Sequence, residues 1–174
     1  MKIFFKICII LLILTSILVG GSHFSKDLFI QENRQAVEVN AKLNHVAPDF
    51  VLKATDGEIY SLTSFLGKKV VINFWAAWCP PCKEEMPEFQ AFYEQNLEDV
   101  VLLSINSDPD YKFDKFLKDY GITFPVLLDK NSKIANKYRV LSIPTTFILD
   151  EYGKIAYIHY GTVTKEKLNS LLEK

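Results

Sequence analysis

The sequence predicts an α/β fold: a central mixed sheet with helices on both faces. Three observations carry this. Apolar runs at 70–74, 100–105 and 124–128 have almost no polar face, as strands buried in the middle of a sheet do. Amphipathic helical stretches separate them, and strand–helix–strand–helix–strand order implies right-handed parallel crossovers. The chain then closes with a hairpin and a last helix, which adds antiparallel strands to the parallel set. With 174 residues, 49% of them hydrophobic, there is material for one packed domain plus an appendage. A net charge of −1 and a pI near 6.3 give no electrostatic footprint for nucleic acid.

The appendage comes first. Lys2 and Lys6 flank Ile3, Phe4 and Phe5; residues 7–19 are apolar except Thr15 and Ser16; Gly20 and Gly21 end the run. Positive charge ahead of an apolar stretch is an export signal that carries the remainder of the chain across the membrane. As a helix, residues 7–21 reach roughly 22 Å against a hydrocarbon core of ~30 Å. Ile3 to Phe5, with Lys6 snorkelling, close most of that gap. No A-x-A cleavage site comes after the run, and no cysteine ends it to take a lipid. Residues 1–21 are therefore read as an uncleaved single-pass anchor of the cell membrane, with the C-terminal domain on the extracytoplasmic side. Cleavage would instead make them a signal peptide and the protein secreted or periplasmic. Residues 22–45 are polar, mixed in charge, and read as a spacer.

The folded domain is expected over 46–174. Residues 50–52 and 59–62 form two short strands around Asp56-Gly57. Residues 64–69 turn at Gly67 into the first buried strand. The next helix runs over 80–96, with Met86, Phe89, Phe92 and Tyr93 at spacings of three and four, and Pro87 bends it. Residues 108–120 form a helix with Phe113, Phe116 and Leu117 on one face, ended by Gly121. A short helix over 132–138 comes after the third strand. Residues 145–149 and 154–159 are strands joined through Glu151-Tyr152-Gly153. Thr164 caps the last helix, 164–172, ahead of Leu168, Leu171 and Leu172.

Three cysteines are present. Cys8 lies in the apolar run, so the exported part holds only Cys79 and Cys82. A stabilising disulfide closes a long loop, whereas a ring over two residues contributes little. This pair is there to react. It stands where a strand meets a helix, and free N–H groups and the positive end of the helix dipole favour a thiolate there. Cys79, at the exposed helix end, is the expected nucleophile, with a pKa below ~8.5, and Cys82 the resolving thiol. Pro80 and Pro81 suit the first helical positions and remove two N–H donors, so they are expected to tune the redox potential. Glu85 shares a helix face with Cys82 and could move its proton, or could join Glu84 and Glu88 in a solvated acidic face. Trp78 and Trp75 could form an apolar rim for a partner peptide, Trp75 equally a part of the core. A structural zinc needs four ligands, and His23, His45 and His159 are not spaced to complete a set. No metal is expected.

The run Phe74-Trp75-Ala76-Ala77-Trp78-Cys79-Pro80-Pro81-Cys82-Lys83, then Pro87, and much later Ile143-Pro144-Thr145, resembles the thioredoxin superfamily. More narrowly, it is similar to the membrane-anchored ResA/TlpA-type thiol-disulfide oxidoreductases. The resemblance covers residue 46 to the C-terminus, including Pro48-Asp49-Phe50 in the hairpin and the inserted helical stretch after Asn106-Ser107-Asp108. It implies a thioredoxin-like fold, a cis Pro144 facing the disulfide, and an Ile143 that offers its backbone to the partner chain. It also implies no cofactor beyond the redox-active Cys79–Cys82 disulfide. Glu85 matches the family's active-site glutamate. Asn73 stands where thioredoxin itself has a buried aspartate, which makes Glu85 the substitute proton acceptor.

The activity implied by the resemblance is exchange with protein dithiols and disulfides outside the cytoplasmic membrane, with this protein as the reductant. Apocytochrome c is the substrate the family suggests, and a CcdA/DsbD-type membrane carrier the electron donor. Two other classes stay open. A peroxiredoxin-like thiol peroxidase would want a threonine where this chain has Ala76. A metal-binding or chaperone-like module would use the cysteine pair as a soft-metal clamp.

Overall fold

A computed structural model describes residues 41–111 and 113–173, so the expected anchor and most of the expected spacer lie outside the described residues. Among the described residues no helix is long and apolar enough to cross a membrane. Strands β1 (Val51–Lys53) and β2 (Ile59–Ser61) pair antiparallel around Asp56 and Gly57. Gly57 sits at φ +90°, a conformation that side chains resist. Asp56 braces the turn by accepting from the Glu58 N–H and the Tyr60 hydroxyl. A short 3-10 turn (Leu62–Phe65) leads to β3 (Lys69–Trp75) and helix α1 (Pro80–Tyr93). Then come β4 (Val100–Asn106), α2 (Asp114–Asp119), β5 (Val126–Leu128), α3 (Lys133–Lys137), β6 (Thr145–Leu149), β7 (Ile155–Tyr160) and α4 (Lys165–Leu172).

Strands β3 to β7 form one mixed sheet in the order β5-β4-β3-β6-β7. β3, β4 and β5 run parallel, while β6 and β7 are antiparallel to their neighbours. β3 lies in the middle because neither of its faces asks for water. Alternation then sorts its side chains between two cores. Val71 and Trp75 join Met86, Phe89 and Phe92 of α1, Phe116 of α2 and Leu168 of α4. Val70, Ile72 and Phe74 join Phe50, Ala54, Ile134 and Tyr138, beneath the hairpin and α3. The expected class, a central mixed sheet flanked by helices with an opening hairpin, is the fold that forms.

Element ends differ from expectation where a side chain is used for something else. The helix expected over 108–120 begins only at Asp114. The Asp108 N–H is taken by Asn106 Oδ1 at 2.9 Å, and the Asp108 carboxylate by the Trp78 ring N–H at 3.0 Å. The Tyr111 N–H bonds to Asp108 O at 3.2 Å, so this stretch closes as a turn instead. Its far end is as expected. Gly121 (φ +62°) donates to Lys118 O and Ile122 to Leu117 O, the two bonds that satisfy a helix end. α1 stops at Tyr93 rather than Asn96. The last strand of the first three begins at Val126, after Pro125, which has no N–H for a ladder. At the other end of the domain, the Asn44 N–H donates to Ile155 O at 2.8 Å and the Ile155 N–H to His45 O at 3.0 Å.

Candidate active site at the start of helix α1

Cys79 is the N-cap of α1: its backbone is extended, and its sulfur accepts the Cys82 N–H at 3.4 Å. Pro80 and Pro81 fill the first two helical positions, so Cys82 carries the first backbone N–H of the helix. That single donor points at the Cys79 sulfur. The two sulfurs are joined as a disulfide, with Cα atoms 5.3 Å apart. Cys79 is 3% exposed and Cys82 is fully buried. The expectation of an exposed first thiol is therefore corrected for the oxidised protein. Cys79 remains the more accessible of the two, but its Sγ lies 3.8 Å from Ile143 O, beneath the segment entering β6.

That segment contains the cis peptide Ile143–Pro144. Thr145 Oγ1 donates to Ser142 O at 2.7 Å, and the Gly161 N–H donates to Pro144 O at 3.0 Å, which ties the loop after β7 to the same wall. Ile143 is half-buried and Pro144 buried. Fold topology thus brings Cys79, Cys82, Ile143 and Pro144 into one place from distant stretches of chain.

The two tryptophans separate. Trp75 is fully buried, donates to Ser104 Oγ at 2.8 Å and packs on Phe116 at 5.4 Å, so it belongs to the core and not to a rim. Trp78 is 49% exposed and its ring N–H is held by Asp108 Oδ2 at 3.0 Å. Beside it a groove of about 420 Å³ runs toward Ile143, with Val140 and Leu141 on its wall and Leu141 94% exposed. Sequence reasoning missed Asp108 as a site residue; the signal for it was Asn106 two residues earlier, an Asx turn in place of a helix start. Asp108→Ala is expected to free the indole. Trp78 fluorescence anisotropy should fall, and reduction of a protein disulfide should slow about fivefold, the worth of one ordinary hydrogen bond of about 1 kcal/mol. Reduction of a small-molecule disulfide should be unchanged.

Glu85 is 1% exposed, while Glu84 is exposed and Glu88 half-buried. It is therefore not part of a solvated acidic face. Its Oε1 accepts from Asn73 Nδ2 at 2.9 Å and its Oε2 from the Val163 N–H at 3.3 Å. Burial pushes its pKa up from 4.5 to about 8, and the two hydrogen bonds, from Asn73 and then Val163, pull it back. The Asn73 amide also donates to Thr146 Oγ1 at 3.2 Å. A carboxyl titrating near 8, one turn from a thiol whose ordinary value is ~8.5, is matched for proton exchange with it. Asn73 stood out in the sequence. Thr146 and the Val163 N–H did not, because neither a lone threonine nor a backbone donor carries a motif. Ala76, buried three residues before Cys79, has no hydroxyl to offer a peroxide. Among the described residues no three His, Cys, Asp or Glu side chains gather as a metal site would require.

A disulfide placed like this trades electrons with other disulfides, and a protein that does so from this sheet is a thioredoxin-like thiol-disulfide oxidoreductase, whose substrates are protein dithiols and disulfides. The chain belongs to the AhpC/TSA family, whose profile matches residues 43–158. It is 39% identical over 156 residues to thioredoxin-like protein YneN of Bacillus subtilis, covering 87% of this chain and 85% of that one. It is 40% identical over 129 residues to thiol-disulfide oxidoreductase ResA of Geobacillus thermodenitrificans, covering 73% and 74%. The crystal structure of StoA from Bacillus subtilis superposes with a TM-score of 0.66 at 34% identity, covering 73% of this chain and 98% of that one.

Proposed function

We propose that this protein is an extracytoplasmic reductant of protein disulfides, held at the cell membrane by residues 1–21. The observation that carries the chemistry is the Cys79–Cys82 pair with a buried, high-pKa Glu85 one turn beyond it. In the dithiol form, the Cys79 thiolate, stabilised by the Cys82 N–H, attacks one sulfur of the partner's disulfide. That bond breaks, the partner's other sulfur leaves as a thiolate and takes a proton from water, and a mixed disulfide remains. Cys82 then gives its proton to the Glu85 carboxylate and attacks Cys79 Sγ. The bond from Cys79 to the partner breaks, the partner's second sulfur leaves, and Glu85 or water protonates it. Two electrons have passed to the partner, and this protein holds the disulfide. Trp78, Ile143 and the groove between them receive the partner chain.

The location rests on Lys2 and Lys6 ahead of the apolar run of residues 7–19. The partner is a protein disulfide. Apocytochrome c, which the family resemblance suggests, is the first candidate, and a CcdA/DsbD-type membrane dithiol carrier is the proposed electron donor. The test is capture in intact cells with Cys82→Ser, followed by a membrane-impermeant maleimide. The reading expects exported proteins in mixed disulfides through Cys79, and uncaptured Cys79 labelled from outside. Labelling only after lysis, or exclusively cytoplasmic partners, would overturn it.

A further inference from the structure

Three side chains stand in one row across the sheet. Asn73 on β3 is opposite Thr146 on β6, and Thr146 is opposite His159 on β7. Directly paired residues share a face, and this is the face on which Asn73 meets Glu85 of α1. Asn73 reaches Glu85 directly and Thr146 holds Asn73. His159 reaches Glu85 by another route. Its Nε2–H donates to the Thr162 carbonyl at 2.9 Å, and the N–H of that same peptide unit, belonging to Val163, donates to Glu85 Oε2 at 3.3 Å. An amide whose carbonyl accepts a hydrogen bond is a stronger donor at its N–H, and its orientation is fixed. The loop turns at Gly161, at φ +88°, just ahead of this peptide unit.

Given Glu85 as proton acceptor, a reading on which this one rests, we propose that His159 is a positioning residue for the active site. Through the Thr162–Val163 peptide it aims the backbone N–H that receives the negative charge of Glu85 before Cys82 has passed on its proton. The other groups around Glu85 leave this role to it. On α1 they are Cys82 and Glu88, and Glu88 Oε2 is occupied by the Lys165 N–H at 2.9 Å. β3 and β6 contribute the uncharged Asn73 and Thr146. α2 meets this core through Phe116, which carries no charge. At the start of α4, Lys165 Nζ lies 3.9 Å from Glu166. His159 is the ionisable side chain that hydrogen bonds connect to Glu85 from β7.

Removing the brace should weaken a donor to the carboxylate and raise the pH at which Glu85 ionises by about half a unit to one unit. At a pH below that midpoint, the ionised fraction and the rate at which Cys82 resolves a mixed disulfide should then fall about 3- to 10-fold. His159→Gln keeps an N–H that can reach Thr162 O; His159→Phe and His159→Ala do not. The experiment is a carboxyl carbon NMR titration of Glu85 in the reduced full chain in detergent, with the pH profile of single-turnover resolution. A raised midpoint in Phe and Ala, restored in Gln, supports the assignment. If Phe leaves the midpoint within about 0.2 unit, or if Gln shifts as Phe does, it is overturned. Using both Phe and Ala guards against one of them failing to fold. Glu85→Gln separates the two readings: a resolution profile that keeps its limb in that variant sinks Glu85 as proton acceptor, whereas the His159 claim is still read from the NMR midpoint.

Discussion

Glu85→Gln slows the displacement of a partner from Cys79 by about 100-fold at about pH 7, within the range a positioned proton acceptor supplies. Attack of Cys79 on a fresh disulfide stays within a few-fold of the parent, because the N-cap donor at Cys82 is untouched. Rapid acid quench of the reduced protein mixed with an oxidised substrate separates the steps, and the variant should accumulate mixed disulfide that the parent does not. The same substitution changes stability against pH. Glu85 is raised from 4.5 to about 8 in the folded protein, so between those values the native state binds more protons than the unfolded chain. Its contribution is fully present below about 4.5 and is lost as pH climbs toward about 8, by on the order of 4 kcal/mol. Gln has no such slope. Whatever fixed offset it introduces by facing the Val163 N–H with an amide, its urea midpoint should gain on the parent between about pH 5 and 8.5. Parallel curves would contradict the raised value.

Cys79→Ser removes disulfide reduction to the uncatalysed background, and Cys82→Ser removes turnover while keeping the first step. The asymmetry comes from the helix start. Cys79 is the more accessible of the two, 3% exposed in the oxidised protein, and accepts the one N–H that Pro80 and Pro81 leave free, whereas Cys82 is fully buried further into the helix. Insulin-type turnover assays therefore read zero for both. A stoichiometric burst of one partner thiol per protein appears with Cys82→Ser and not with Cys79→Ser. A burst from both would mean that the two thiols are interchangeable, and would contradict the assignment of Cys79 as the attacking thiol.

Much of this was legible in the chain. Residues 70–74 have almost no polar face and became the middle strand; Thr164 caps α4 as its position suggested, accepting the Lys167 N–H. Cys79 and Cys82 come from their spacing, and Glu85 from its place on the helix face of Cys82 together with the family resemblance. Cys79 came out more covered than a helix-end position suggests, because Ile143, some sixty residues later, folds over it. The helix expected over 108–120 starts late because Asp108 spends its carboxylate on Trp78, a contact between elements distant in sequence. The support of Glu85 was hidden for the same reason. The Val163 N–H has no side chain to announce it, and His159 looks like a lone strand histidine until the register places it beside Thr146.

The most direct test of dithiol exchange at the start of α1 is mass spectrometry of the complex between Cys82→Ser and an oxidised protein substrate. One substrate per chain, linked through Cys79 alone and released by added thiol, is the predicted result. A complex linked elsewhere, or no complex from a folded variant, would contradict it.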